Sequence, residues 1–211
     1  MTGPKWLLKR VLWLVPAALL LASALPAENR PTDRKPAFGE AAAGVAVSLE
    51  IKPATWKPAP DARYGEGLKI EFLCTVKNVG DKPVKVPAWG LDAPQVLEFT
   101  DAKGKVLPSR GVNRHESRPV TPNEFKTIAA GGSETFTLSG WLTDTSVLTV
   151  NELLGGAYTV QLATGDYTVR AVFESTERVE WSNGPAEGKY WTGKALSQPV
   201  KVTVAPKPAA K

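Results

Sequence analysis

Hydrophobic and polar residues alternate with a period of two along much of the chain between residues 45 and 205. In the clearest run, "LKIEFLCTVKN", the alternating apolar positions are Ile70, Phe72, Cys74 and Val76. Because successive side chains of a strand point to opposite faces, this period predicts half-buried β-strands. The segments "VAVSLEI", "SETFTLSG", "AYTVQL" and "QPVKVTV" alternate in the same way and are also predicted to be strands.

Clusters of Gly, Pro, Asn and Asp separate these short runs, as in "NVGDKP" and "DAKGK". Gly104 can adopt a positive φ, so residues 101–105 are predicted to form a hairpin loop. The stretch "SVLTVNELL", residues 146–154, also fits a short helix. Many short strands joined by turns predict an all-β protein, an antiparallel immunoglobulin-like or fibronectin type III-like β-sandwich.

The stretch "TGDYTVRAVFE" indicates how this sandwich turns a corner. A Tyr near the start of a late strand is typical of the tyrosine corner, in which the hydroxyl bonds to backbone just upstream. Tyr167 is therefore predicted to be structural. Cys74 lies where the first cysteine of disulfide-bonded sandwiches would be, but Val169 takes the place of the second, so we interpret Cys74 as a small buried hydrophobe. Trp89 is the candidate core tryptophan.

The N-terminus has the features of a signal peptide for export. Basic residues precede the apolar run "VLWLVPAALLLASA", and Ala22-Ser23-Ala24 supplies a small-x-small cleavage pattern. The predicted organisation is a signal peptide at residues 1–24, a flexible linker at 25–44, the sandwich at 45–205 and a flexible tail at 206–211. No transmembrane anchor is expected after cleavage, and the predicted location is the periplasm or the extracellular medium.

The charge balance and the cysteine count restrict the function classes. The formal net charge is +5, but cleavage after Ala24 removes Lys5, Lys9 and Arg10 and no acidic residue. With no Lys/Arg-rich cluster in the remaining chain, a nucleic-acid partner is not expected. The single cysteine cannot form an intramolecular disulfide, so stability is expected to come from burial.

Two stretches, "YGEGLKIEFLCTVKNVGDKPVKVPAWG" and "RPVTPNEFKTIAAGGSETFTLSG", resemble a known domain. They are similar to the N-terminal β-sandwich that precedes the catalytic domain of deuterolysin-like (aspzincin) metallopeptidases. The residues that carry the resemblance are Asn78, Gly80, Asp81, Trp89, Gly90, Glu124, Phe125, Gly131 and Gly132. The resemblance implies an accessory sandwich, acting with or inhibiting a secreted peptidase.

The chemistry of those peptidases is not expected in this chain. They need a His-Glu-x-x-His helix to hold zinc, whereas His115 is the chain's one histidine. His115 is more simply interpreted as a loop residue than as a metal ligand. A Cys74–His115 nucleophile–base pair is disfavoured because Cys74 lies on the apolar face of a strand. The chain is therefore predicted to be non-enzymatic, with no cofactor and no metal.

The candidate binding surface is the segment "VEWSNGPAEGKYWTG", which carries Trp181, Asn183, Tyr190 and Trp191. Aromatic side chains in a polar loop can anchor a protein partner. The predicted partner is another envelope or secreted protein, and the alternative is a glycan stacked on these aromatics. A purely structural role also stays open, with Trp191 folded over the sandwich edge and Trp181 capping a hairpin.

Overall fold

The computed structural model describes residues 37–58, 66–87, 96–112, 125–143, 146–151, 157–175 and 190–205, all within the compact unit Asp33–Lys211. The predicted signal peptide lies outside the described residues, as do Trp89 and His115. Every regular element in the described ranges is a β-strand. They are β1 (Val45–Ile51), β2 (Thr55–Pro58), β3 (Glu66–Asn78), β4 (Val84–Pro87), β5 (Leu97–Asp101), β6 (Ser109–Val112), β7 (Phe125–Ile128), β8 (Ser133–Leu142), β9 (Val147–Asn151), β10 (Ala157–Gln161), β11 (Gly165–Ser175), β12 (Gly193–Leu196) and β13 (Val200–Val204).

The largest sheet contains seven antiparallel strands built on the long strand β3. Strands β1 and β2 follow each other along one edge of β3, and β8 pairs along the other edge. The sheet then continues through β9 and β10 to β6. All of these pairings are antiparallel, as the alternating pattern predicts.

The second sheet is built on β11, which pairs with β5 on one edge and with β12 and β13 on the other. Leu196 lies opposite Val172 and Val200 lies opposite Val169, so residues 197–199 face a shorter stretch of β11. Three residues, 197–199, thus lie opposite two residues of β11, 170–171, and the one extra residue makes a β-bulge. The Ser197 hydroxyl oxygen accepts a hydrogen bond from the Ala171 N–H at 2.9 Å, which satisfies the backbone at the bulge.

The two sheets share one hydrophobic core. The apolar positions of β3 named above are all buried, which confirms the period-two prediction for this strand. Phe72 of the first sheet meets Phe99 of the second edge to face, with ring centroids 6.3 Å apart. The fold is therefore all-β with antiparallel sheets, consistent with a β-sandwich.

A two-stranded ribbon, formed by β4 and β7, packs Val86 and Ile128 into this core, and Asn78 joins its two ends by hydrogen bonds. The Asn78 side chain is 2% exposed. Its Nδ2 donates to the carbonyl oxygens of Lys82 at 2.7 Å and Ile128 at 3.0 Å, and its Oδ1 accepts from the Gly80 N–H at 2.9 Å. One buried amide thus joins the turn that leads into β4 to the end of β7.

Residues 37–44 differ from the predicted flexible linker, because they form a hairpin with β1. Ala43 and Gly44 both have positive φ, and Ala42 and Val45 exchange two backbone hydrogen bonds across them. Two central residues with positive φ are the pattern of a type I′ hairpin turn. Phe38 bridges Ser48 farther along β1, and Ser48 is buried even though it lies on the polar side of the predicted strand.

Gly39 explains how closely this hairpin approaches the second sheet. A Cβ atom at this position would lie 1.9 Å from the carbonyl oxygen of Leu196 in β12. Only glycine allows backbone to approach backbone at this distance. The segment before β1 is therefore part of the folded unit.

Two other local predictions have different outcomes. The hairpin loop at residues 101–105 is confirmed, because Asp101 N–H donates to Lys105 O and Gly104 has φ 80°. The short helix within 146–154 is wrong for residues 147–151, which form strand β9. Leu148 and Val150 alternate into the core there, and pairing of β9 with both β8 and β10 outweighs its local helical pattern.

Two substitutions of Asn78 distinguish the contribution of its side-chain volume to stability from the contribution of its hydrogen bonds. We expect Asn78→Ala to lower the free energy of unfolding by about 2–3 kcal/mol, because buried carbonyl oxygens lose their donor. Asn78→Asp keeps the shape but places a carboxylate against those oxygens, so it should cost at least as much at neutral pH. Chemical denaturation monitored by circular dichroism provides the measurement.

The pH dependence of Asn78→Asp provides the control. Burial beside carbonyl oxygens should raise the folded-state pKa of the new carboxyl group above about 3.9, its ordinary value. The destabilisation by Asn78→Asp is then complete above the raised folded-state pKa. It decreases as the pH falls through that pKa toward the ordinary value. Wild-type stability for Asn78→Asp at neutral pH would contradict the bonding role of Asn78.

Candidate functional site

Of the four residues predicted to form a binding surface, the structure describes Tyr190 and Trp191. Trp181 and Asn183 lie in the segment 176–189, outside the described residues. Tyr190 and Trp191 are consecutive, and sequence analysis treats them alike. The structure gives them opposite environments.

Trp191 is buried, with 5% of its surface exposed. Its ring stacks on Phe173 of β11, with centroids 5.1 Å apart and planes 17° from parallel. Its Nε1 donates to the carbonyl oxygen of Ala42 at 3.1 Å, and its backbone N–H donates to that of Lys85 at 2.8 Å. A ring held in this way has no face for a ligand, so the assignment of Trp191 to the binding surface is corrected. It is a core residue that joins β11, the N-terminal hairpin and β4.

Tyr190 is half-buried and lies against Phe125 of β7, with ring centroids 5.5 Å apart. The Lys85 ammonium lies 5.3 Å from the centroid of the same Phe125 ring, within the range of a cation–π contact. We name these three residues, Lys85, Phe125 and Tyr190, the Lys85–Tyr190 surface. Lys85 is not recognisable from the sequence, since an isolated lysine in a short strand carries no signal of its own.

The β4–β7 register explains why these side chains meet. Lys85 is opposite Thr127, and Phe125 lies two residues from Thr127, so Lys85 and Phe125 share a face of the ribbon. Val86 and Ile128, at the intervening positions, are buried in the core. The Lys85–Tyr190 surface therefore lies on the side of the ribbon away from the core. Phe125 itself is buried, with 6% of its surface exposed, so Tyr190 and Lys85, both half-buried, supply the accessible groups of this surface. A phenol ring with its hydroxyl beside a cation suits recognition of a protein partner.

Cys74 is buried on the core face of β3 and is not bonded to another cysteine. Burial raises the pKa of its thiol far above the usual range, because the thiolate would be desolvated. A neutral, inaccessible thiol cannot act as a nucleophile. The structure therefore places Cys74 in the packing of the core.

Two features are absent from the described residues. Among them, no group of three His, Cys, Asp or Glu residues is placed to hold a metal ion. Within the same ranges there is also no helix with the length and apolarity needed to cross a membrane.

A groove of about 550 Å³ lies where the N-terminal hairpin passes β12 and the Ser197 bulge. Its charged lining residues are Glu40, Arg170 and Lys194. Lys194 is already paired with Glu174, at 3.0 Å. Charges of both signs in a shallow groove do not indicate a particular ligand class.

The corner that begins β11 has the geometry that sequence analysis expects of Tyr167. The Tyr167 hydroxyl donates a hydrogen bond to the carbonyl oxygen of Ala163 at 2.9 Å, four residues upstream. The neighbouring Asp166 carboxylate accepts a hydrogen bond from the Thr203 hydroxyl of β13 at 2.6 Å. Both side chains are therefore engaged in holding the corner.

Comparisons with known proteins add little to this geometry. No family model matches the chain, and no curated protein matches it. Among solved structures, the chain is similar to the X-ray structure of Northeast Structural Genomics Consortium target SoR45, with 12% sequence identity and a TM-score of 0.37. The match covers 80% of this chain and 92% of that chain. A similarity at this level supports no conclusion about function.

Removing the Tyr167 hydroxyl should destabilise the fold modestly. We expect Tyr167→Phe to lower the free energy of unfolding by about 0.5–1.5 kcal/mol, the net contribution of one hydrogen bond. Thermal unfolding of wild type and variant gives the comparison, with Thr137→Ala, an exposed change in β8, as the control. An unchanged melting temperature for Tyr167→Phe would show that the hydrogen bond to Ala163 does not hold the corner.

Proposed function

We propose that this chain is an exported, non-enzymatic immunoglobulin-like β-sandwich that binds another protein of the bacterial envelope through the Lys85–Tyr190 surface. The resemblance to the accessory domain of aspzincin peptidases extends the proposal to an accessory or inhibitory role toward a secreted peptidase. The two stretches that carry this resemblance each contain one of the turns joined by Asn78, and Phe125 belongs to the second stretch.

Export is supported by the first 24 residues. The basic residues, the apolar run and the Ala22-Ser23-Ala24 pattern follow the order of a secretory signal. The immunoglobulin-like fold is supported by the antiparallel sheets around one core and by the Tyr167 hydroxyl bonded to backbone upstream.

The observation that carries the choice of a protein partner is the different placement of Tyr190 and Trp191. A glycan-binding loop needs accessible flat rings, and Trp191 is buried against Phe173. Tyr190 is tilted 52° from the Phe125 ring beneath it, so the pair does not form a flat platform. A half-buried tyrosine beside a lysine instead has the mixed character of protein interfaces, where aromatic anchors provide most of the binding energy.

The export proposal predicts the first residue of the mature protein. Expression in a Gram-negative host followed by N-terminal sequencing of the envelope-fraction protein should give Leu25 as the first residue. Ala24→Leu should block processing, because signal peptidase requires a small residue there. Recovery of an uncleaved chain from the cytoplasm would contradict the proposal.

The interaction proposal predicts that Tyr190→Ala impairs capture of a partner while the fold survives. Purified mature protein would be cross-linked in the native envelope extract and its partners quantified by mass spectrometry. We expect a specific partner to be lost about tenfold or more with Tyr190→Ala, as for a central interface aromatic. Val106→Ala provides the matched control, because Val106 is an exposed hydrophobic residue in a different hairpin.

A direct assay tests the peptidase relationship. The captured partner, or an aspzincin peptidase from the same organism, would be assayed with and without the protein. We expect its activity to change, and Tyr190→Ala to remove that change while Val106→Ala preserves it. Equal capture by wild type and Tyr190→Ala would overturn the assignment of the Lys85–Tyr190 surface.

A further inference from the structure

The outer face of the seven-stranded sheet carries a continuous polar row that no sequence pattern reveals. Residues directly opposite each other on antiparallel strands project to the same face. The strand registers align five residues in a straight line across five strands: Lys69, Trp141, Thr149, Thr159 and Arg110. We call this line the Trp141 row.

These residues lie on the side of the sheet opposite the core. Their neighbours along each strand, such as Leu142, Leu148 and Tyr158, are buried, whereas the members of the row are half-buried or exposed. Because side chains alternate between the faces of a strand, the row is directed away from the second sheet. Trp141 is thus a large aromatic residue on a face that carries mainly polar side chains, with Leu73 and Val147 as half-buried apolar residues on the same face.

The Trp141 ring lies close to the sheet surface because the neighbouring position is a glycine. A Cβ atom at Gly67 would lie 3.3 Å from Cε3 of Trp141 and 3.2 Å from the carbonyl oxygen of Leu142. The absence of a side chain at Gly67 leaves room for the ring there. The half-buried Trp141 ring therefore lies against the sheet beside Gly67.

The side chains around the ring offer hydrogen bonds rather than apolar contact. Thr149 and Thr159 carry hydroxyl groups on two adjacent strands, and Arg110 ends the row with a cation. The Thr159 hydroxyl donates to the carbonyl oxygen of Arg110 at 3.4 Å, so it is available to a ligand as an acceptor. At the other end, Lys69 is paired with Glu71 at 2.6 Å, which gives a donor and an acceptor side by side. Ser139, two residues before Trp141 on the same face of β8, adds a further hydroxyl group alongside the row.

We propose that the Trp141 row binds a polysaccharide chain, with one sugar ring stacked on Trp141 and the following sugars hydrogen-bonded along the row. The apolar C–H face of a pyranose ring matches the negative face of an indole, while its hydroxyls need the donors and acceptors found at either side. From Lys69 to Arg110 the row crosses four strand spacings, about 19 Å, long enough for several sugars.

The chemistry of the row disfavours an apolar occupant. A docking helix or sheet would need a contiguous apolar patch to bury, and Trp141 is the one apolar member of the row. The hydroxyl, cation and ion-pair groups would be desolvated by such a partner without matching hydrogen bonds. A hydroxyl-rich chain satisfies them.

This site is independent of the Lys85–Tyr190 surface. The two surfaces share no residue, and they lie on different sheets of the fold. Loss of one activity should therefore leave the other intact, which allows the two proposals to be tested separately.

The test is affinity electrophoresis of the mature protein in gels containing soluble polysaccharides, followed by calorimetric titration. Neutral probes are hydroxyethylcellulose and galactomannan, and acidic probes are polygalacturonate and alginate. We expect retardation by at least one probe, and Trp141→Ala to weaken binding about tenfold or more. Arg110→Gln should weaken binding to the acidic probes alone, so this variant distinguishes binding of an acidic polysaccharide from binding of a neutral one.

Two control variants and a second test variant allow the result to be interpreted. Thr137→Ala, on the same face of β8 but outside the row, should bind like wild type, as should Tyr190→Ala. If Trp141→Ala fails to fold, Thr149→Glu places bulk and negative charge beside the ring without entering the core, and it should also abolish binding. No retardation by any probe, or unchanged binding by Trp141→Ala and Thr149→Glu, would overturn the proposal.

Discussion

The buried amide of Asn78 is the interaction on which the rest of this structure depends. Backbone groups in the turns around β4 and β7 have no strand ladder to satisfy them, and an unsatisfied buried polar group costs about 1–3 kcal/mol. Asn78 supplies two donors to carbonyl oxygens from both turns and accepts from Gly80. The next residue, Val79, donates its N–H to Gly44 O at 2.8 Å and so connects the same corner to the N-terminal hairpin. Asn78 and Val79 thereby connect the turn before β4, the turn after β7 and the N-terminal hairpin.

The arrangement of the β4–β7 ribbon follows from this constraint, and the exposed surface follows from the ribbon. Trp191 fixes the incoming segment by stacking on Phe173 and by donating to the carbonyl oxygens of Ala42 and Lys85. With Trp191 anchored inward, Tyr190 lies on the outer side against Phe125. The buried Trp191 thus positions its half-buried neighbour Tyr190, so a contact in the core determines part of the surface.

The sandwich presents two surfaces of different chemistry. The Lys85–Tyr190 surface is small, aromatic and cationic, and its geometry depends on three segments that are distant in sequence. The Trp141 row is broad and rich in hydroxyls, and its geometry depends only on strand register within one sheet.

The sequence by itself determined the features that short-range physics controls. The period of two specified the buried face of β3, Gly104 specified a hairpin loop, and the Gly-Asp-Tyr order indicated a corner with Tyr167 bonded to nearby backbone. Each of these depends on residues within a few positions of one another. The strand identity of residues 147–151 was beyond the sequence, because pairing with β8 and β10 decided it against a local helical pattern.

Only the tertiary structure decided which candidate residues are accessible and which lie together. Residues 37–44 have a linker's composition, yet the type I′ turn and the close approach of Gly39 to Leu196 bring them into the fold. Tyr190 and Trp191 look equivalent in sequence, but packing against β7 and β11 separates them. The Trp141 row is assembled from five strands whose alignment is set by register. Sequence spacing carries no information about such alignments, since they are determined by long-range pairing and by burial of the opposite face.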